Sequence, residues 1–298
     1  MKHTNKTSKN TKTNCSPMMK KTRKNTCYDK NSLLLIKKEF NNNRNHTHNQ
    51  ITTNNPNHII KELKQKIKHC SKEDCWLSEI KDLSLRKKTN DYLFAPKQPS
   101  TWKNDPNYWL SNFDILDVLQ QYEKAYPNFK FIGPTPIDFD SKPYLLDNSC
   151  VWKDLCNIQL KDYIHNKIDK IGIIFNLDKH DQSGSHWVSM FINLKQKFIY
   201  YFDSAVNPIP PEIIALKNKL LEQAANLHLK LTYHDNFPIM HQYENSECGM
   251  YSLFMIITML TEKVEKKALK SKKQKINFLT KRIPDNYVFG YRDIYFNK

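Results

Sequence analysis

A globular fold that combines helices with a central group of strands is predicted, on three observations. The chain has 298 residues with 39% hydrophobic and 12% aromatic content, enough to fill a packed core. Its middle carries continuous apolar runs of strand length, Ile171–Leu177 and Trp187–Leu194, followed by Lys197–Phe202. Helical spacing of apolar residues recurs on both sides of that region.

Residues 1–57 are dominated by Lys, Asn, Thr and His, with one apolar island at Leu33–Ile36. So little surface can be buried there to offset the entropy of ordering that the expectation is a disordered basic arm. Residues 58–100 read as an accessory helical segment: Ile59, Ile60, Leu63 and Ile67 share one helical face, and Trp76, Leu77, Ile80 and Leu83 mark a second short helix over Cys75–Leu85. Pro96, Pro99 and Pro106 mark a boundary, and residues 101–298 are expected to form the main domain. Ser111 caps a helix through Phe113, Leu116 and Leu119 to about Glu123, and a loop rich in Pro134, Pro136 and Pro143 follows. The unbroken runs at 171–177 and 187–194 imply strands covered on both faces, the second joined to 197–202 by a short turn at Lys195–Gln196. Pro208, Pro210 and Pro211 open a helix through Ile213, Leu220 and Leu227. Leu229–Tyr233 reads as a strand, and Cys248–Leu260 as a buried helix after the loop Met240–Glu247.

The net charge of +17 is unevenly placed: residues 1–60 carry 12 Lys/Arg against 2 Asp/Glu, and residues 261–282 carry 9 against 2. Such segments can hold nucleic acid, an anionic surface or an acidic protein, or can be solvated surface. The seven cysteines are an odd number with no apolar signal segment before them, so free thiols in a reducing intracellular compartment are expected. No apolar run approaches the roughly 20 residues of a membrane span. His69, Cys70, Cys75, Cys150 and Cys156 lack paired Cys-x-x-Cys spacing, so no metal site is expected. Five glycines provide no phosphate-binding loop, and no cofactor is expected.

The strongest local feature is Glu247-Cys248-Gly249 at the start of the most hydrophobic helix. A cysteine there faces the positive end of the helix macrodipole, which favours thiolate over thiol, and the thiolate is the nucleophile. Gly249 allows close backbone approach to a substrate. Gln242, six residues upstream, offers an amide donor for an oxyanion. His186 begins one strand and Asp203 ends the next, 17 residues later, which places an imidazole and a carboxylate where they can meet across a hairpin. In that geometry Asp203 would hold the ring and favour the imidazolium.

His186-Trp187, Asp203, Gln242 and Glu247-Cys248-Gly249 together resemble the His-Trp, Asp, Gln and (Asp/Glu)-Cys-Gly signature of adenain-type and SUMO-specific cysteine proteases. Trp109-Leu110-Ser111-Asn112 similarly resembles the segment that opens the SUMO-protease catalytic domain, so the resemblance covers about residues 105–298. Glu in place of Asp before the cysteine, and the basic helical front end, look more like the core-protein proteases of poxviruses and asfarviruses.

The resemblance implies an α+β, papain-like core, with a mostly antiparallel sheet and a buried nucleophile helix, behind an N-terminal helical extension. It assigns Cys248 as nucleophile, His186 as base, Asp203 as orienter and Gln242 to the oxyanion hole, with Trp187, Trp109 and Gly249 against the substrate. The implied activity is cleavage after Gly-Gly-type sites in viral structural polyproteins during particle maturation, in the host cytoplasm, a viral factory or the virion. Deconjugation of SUMO or ubiquitin uses the same residues and stays open. A non-enzymatic alternative is a nucleic-acid-binding virion protein with an inert protease-like domain.

Overall fold

The computed structural model describes residues 13–19, 26–43, 49–144, 147–262 and 281–298. Two compact units emerge, Met1–Lys97 with Asp293–Lys298, and Gln98–Arg292.

In the first unit, helix α1 (Lys30–Asn42) starts at Asp29, whose carboxylate accepts from the Ser32 N–H at 2.7 Å, and it buries Leu33, Ile36 and Phe40. Helix α2 (Pro56–Lys66) is capped by Asn55 and buries Ile59 and Leu63. A 3-10 turn over Glu73–Glu79 inserts Trp76 and Leu77, and α3 (Leu83–Leu93) begins on the Asp82 cap. Tyr28 stacks on Trp76 with ring centroids 5.5 Å apart. The tail joins this unit: the Asn297 side chain donates to the carbonyls of Asn14 and Ala95, and its N–H donates to that of Pro96.

Two expectations change here. The region 1–57 was expected to be a disordered arm, yet its described residues supply Tyr28, Leu33, Ile36, Phe40 and Ile51 to a core shared with residues 59–94. The apolar island is too small to fold alone, and the helices of the accessory segment provide the other half of its core. Two of the lysines are ties: Lys66 donates to the carbonyls of Asn49 and Gln50, and Lys37 to that of Thr52. Residues 1–12, 20–25 and 44–48 of the expected arm, and most of the late basic stretch, lie outside the described residues. The cysteines also depart from expectation. Six are paired as Cys15–Cys27, Cys70–Cys75 and Cys150–Cys156, partners whose Cα atoms lie 5.1, 5.5 and 6.3 Å apart. Counting residues cannot show that proximity; among the described residues Cys248 is the free cysteine.

In the second unit, α4 (Asn112–Ala125) opens on a capping box in which Ser111 and Asp114 satisfy each other's backbone N–H groups. A five-stranded sheet follows in the order β1 (Phe129–Pro136), β2 (Lys170–Asn176), β3 (Trp187–Asn193), β4 (Phe198–Phe202) and β5 (Thr232–Asp235). The two central pairings are antiparallel and the two outer ones parallel, so the sheet is evenly mixed where a mostly antiparallel one was expected. Strand β1 replaces part of the expected proline loop: as an edge strand it needs one side of its ladder, and its register shifts between Ile132 and Thr135 around Pro134. Every residue of β3 is buried, as its unbroken apolar run implies.

Short helices α5 (Lys153–Cys156) and α6 (Leu160–His165) and the longer α7 (Pro211–Asn226) cover one face, with Leu155, Leu160, Leu216 and Leu220 against Ile173, Val188, Met190 and Ile192. Helix α8 (Cys248–Thr261) packs against β3 and β2. A Cβ on Gly172 would sit 3.0 Å from Ile256 of α8 and from the Phe129 ring, so the glycine lets that helix close on the sheet. The short helices α9 (Asp285–Phe289) and α10 (Arg292–Tyr295) follow. Among the described residues no helix is long and apolar enough to cross a membrane.

Candidate active site

His186 immediately precedes β3 and Asp203 follows β4; because these strands are antiparallel, the hairpin brings the two side chains together. His186 Nε2 lies 2.6 Å from Asp203 Oδ1. Asp203 is 2% exposed, and three further donors hold it: the N–H of Ala205 on Oδ1, and the N–H and side-chain amide of Asn207 on Oδ2, at 2.8 to 3.0 Å. Burial alone would raise its pKa, but the His186 bond and these backbone donors outweigh that and hold the carboxyl below its ordinary value. Asn236 fixes the Asp203 backbone from both sides, accepting from its N–H at 3.0 Å and donating to its carbonyl at 2.8 Å.

For His186, burial disfavours the imidazolium, while hydrogen bonds to Asp203 and Cys248 favour it more strongly and push the ring up to about 10. With Nε2 occupied by Asp203, Nδ1 is the ring nitrogen left to face the sulfur. Cys248 itself is 2% exposed at the first position of α8. An imidazolium beside a sulfur at a helix start is the environment in which a thiol works as a nucleophile.

Gln242 lies on the loop that turns into α8. Its Oε1 accepts from Ser204 Oγ at 2.7 Å, and its Nε2 donates to the Glu244 carbonyl at 2.6 Å, so the amide plane is set. One amide N–H is used and the second is available, as a donor for developing charge requires. A cleft of about 760 Å³ is walled by Trp109, Leu110, Asn176, His180, Ser185 and Trp187, the last two flanking His186 in the chain, while His186, Gln242 and Cys248 lie outside its walls. Trp187 is anchored by its indole N–H on the Leu110 carbonyl at 3.1 Å, and Trp109 is 43% exposed. Gly249 was expected to admit a substrate, and its open side is instead filled by the protein: an added Cβ would lie 3.1 Å from Leu110 and 3.2 Å from Trp187. The glycine therefore lets the tryptophan wall close on α8.

Sequence reading misses the supports Ser204, Asn207 and Asn236. They carry no motif, and the one available signal is an Asn four residues after Asp203. His69, Cys70 and Cys75 place possible ligand atoms within 4.8 Å of one another, but the two sulfurs are joined in a disulfide.

The comparisons agree with this geometry. Residues 155–287 match the sequence profile of the Ulp1 protease family, C-terminal catalytic domain. A putative thiol protease of Acanthamoeba polyphaga mimivirus is 29% identical over 83% of this chain and 84% of its own length. A cysteine protease of African swine fever virus is 26% identical over 75% of this chain and 81% of its own. The crystal structure of the African swine fever virus protease superposes with a TM-score of 0.66 at 21% identity, covering 95% of both chains, which shows a shared fold. Over residues 155–287, the stretch that holds His186, Asp203, Gln242 and Cys248, the chain is similar to the catalytic domain of the Ulp1 protease family, and its viral relatives are thiol and cysteine proteases.

Proposed function

We propose that this protease is an endopeptidase in which Cys248 attacks, His186 transfers the proton, Asp203 orients the ring and Gln242 with the Cys248 N–H receives the oxyanion. The observation that carries this reading is the 2.6 Å His186–Asp203 contact across the β3–β4 hairpin, with the free thiol of Cys248 at the first position of α8. The thiolate adds to the scissile carbonyl carbon, and the carbonyl electron pair moves to oxygen. The imidazolium Nδ1–H then protonates the departing amine as the C–N bond breaks, leaving a thioester and a neutral ring. Water adds to the thioester while Nδ1 takes its proton. Collapse expels the thiolate and restores the ion pair.

The substrate is a polypeptide cut after a Gly-Gly-type site in a viral structural polyprotein, a reading supported by the mimivirus and African swine fever virus relatives, both proteases of large DNA viruses. One of these relatives is called a SUMO-1 cysteine protease, which supports a second reading as a deconjugating enzyme. Purified protein offered Gly-Gly-Xaa peptides, tagged SUMO and tagged ubiquitin separates them. Cleavage of peptides with neither folded modifier processed supports the first, and processing of SUMO alone overturns it. The basic stretches are proposed to bind nucleic acid, which a steep loss of DNA binding with rising salt would support.

A further inference from the structure

The proposed thiol chemistry leaves one buried ion pair unused. Glu247 directly precedes Cys248 at the N-cap position of α8, and it is 1% exposed; Arg292 is 5% exposed. Arg292 Nη2 donates to Glu247 Oε1 at 2.6 Å and Nε to Oε2 at 3.3 Å, so both oxygens are engaged. Arg292 Nη1 donates to the Pro106 carbonyl, and the guanidinium lies over the rings of Trp102 and Phe289 at 4.2 and 4.6 Å. Removing two charges from water is costly: burial pushes the Glu247 carboxyl up and the Arg292 guanidinium down. An apolar pair of similar volume would fill this space at lower cost, so packing alone does not account for it.

The orientation of Glu247 supplies the reason. An acidic side chain at an N-cap normally accepts from the N–H groups of the first helical turn, yet Glu247 makes no such bond and turns to Arg292. A carboxylate folded onto that turn would bond the Gly249 or Met250 N–H and place a like charge beside both the thiolate and the developing oxyanion. Resting on the mechanism proposed above, we infer that Arg292 is a positioning residue: it draws the Glu247 carboxylate off the start of α8 and balances its charge, so that the first turn faces the thiolate and the oxyanion without a carboxylate folded onto it. The other charged groups around this cluster are His186 and Asp203 on the sheet side, Asp285 and its partner Arg282 beside Glu247, and Asp105 beside Arg292.

The test compares wild type with Arg292→Met, Glu247→Gln and the double variant, using peptide kcat and KM and the pH of half-maximal iodoacetamide alkylation of Cys248. Arg292→Met should lower kcat by about 10-fold or more with KM nearly unchanged, within the range known for lost oxyanion donors. Its alkylation midpoint should rise by roughly half a pH unit or more, the effect of one uncompensated nearby charge. The double variant has no carboxylate to restrain, so kcat and midpoint should return most of the way to wild type. That recovery is what a purely structural role would not produce. If Arg292→Met does not fold, Glu247→Gln and the double variant carry the test, and equal kcat in the two is expected. A further loss of about 10-fold on adding Arg292→Met to Glu247→Gln, or a double variant as slow as Arg292→Met, overturns the inference. Persistent turnover in Cys248→Ala would instead strike the underlying mechanism and is measured alongside.

Discussion

Replacing Asp203 by Asn keeps the size of the side chain and removes its charge, and the hydrogen bonds around it set the cost. Both carboxylate oxygens face donors only: Oδ1 accepts from His186 and the Ala205 N–H, Oδ2 from the N–H and amide of Asn207. An amide group offers one acceptor oxygen and one NH2, so either orientation sets its NH2 against two N–H donors. Each buried donor left unsatisfied costs about 1–3 kcal/mol, so with two of them the folded state should lose about 2–6 kcal/mol at neutral pH. Losing the charge-assisted bond to the imidazolium, worth about 1.5–3 kcal/mol, should lower kcat by roughly 10- to 100-fold even where the ring stays in place. In the wild type the ring is charged up to about pH 10, so peptide turnover should fall as pH rises through that value. In Asp203→Asn the alkaline limb should move to lower pH, because the group that holds the proton on the ring is gone. The same pair shapes stability. His186 is raised above its unfolded value, so its contribution is complete below about pH 6.5 and is lost as pH rises through about 10. Asp203 is depressed, so its contribution is present above the unfolded carboxylate range and is lost as pH falls through its folded value. Measured pH–rate profiles and denaturant melts of both proteins check each part. Wild-type kcat in the variant with an unmoved alkaline limb would refute the role given to Asp203.

Cys248→Ala should abolish peptide cleavage while its melting temperature stays close to wild type, since the site is small and alanine suits a helix start; cleavage by the pure variant would remove Cys248 as nucleophile. Gln242→Ala should reduce kcat about 100-fold with KM nearly unchanged, because the amide acts on charge that develops in the transition state; an effect confined to KM would make it a ground-state contact. Gly249→Ala must displace Leu110 or Trp187, 3.1 and 3.2 Å from the new methyl, and should raise KM for peptides that fill the cleft, which Michaelis kinetics on short and long peptides will show. Phe40→Ala, at a fully buried position of the first unit, should cost about 3–5 kcal/mol in a denaturant melt. A melt unchanged by that substitution would mean that the first unit does not rely on α1.

The catalytic unit was largely legible in the sequence because its signals are local. The apolar runs gave β2, β3 and β4, the Ser111 cap gave α4, and the apolar stretch after Glu247 gave α8. The positions of His186, Asp203, Gln242 and Cys248 followed from where those elements begin and end. What escaped depends on partners distant in sequence. Strand β1 was hidden by prolines that an edge strand tolerates. Helix α1 looked like a fragment of a polar arm because Trp76 and Ile59, which complete its core, stand in another segment. The disulfides and the Glu247–Arg292 pair join residues that no spacing rule relates.

The division of the chain sets an order of folding. Residues 98–292 form one unit, while the segments before and after them share the other, so the protease is inserted into its neighbour rather than following it. Asn14, Ala95 and Pro96 receive their Asn297 bonds only after the whole protease has been synthesised. On the ribosome the core of the first unit, drawn from Met19 to Phe94, emerges before the inserted unit, and the ties from Asn297 close last.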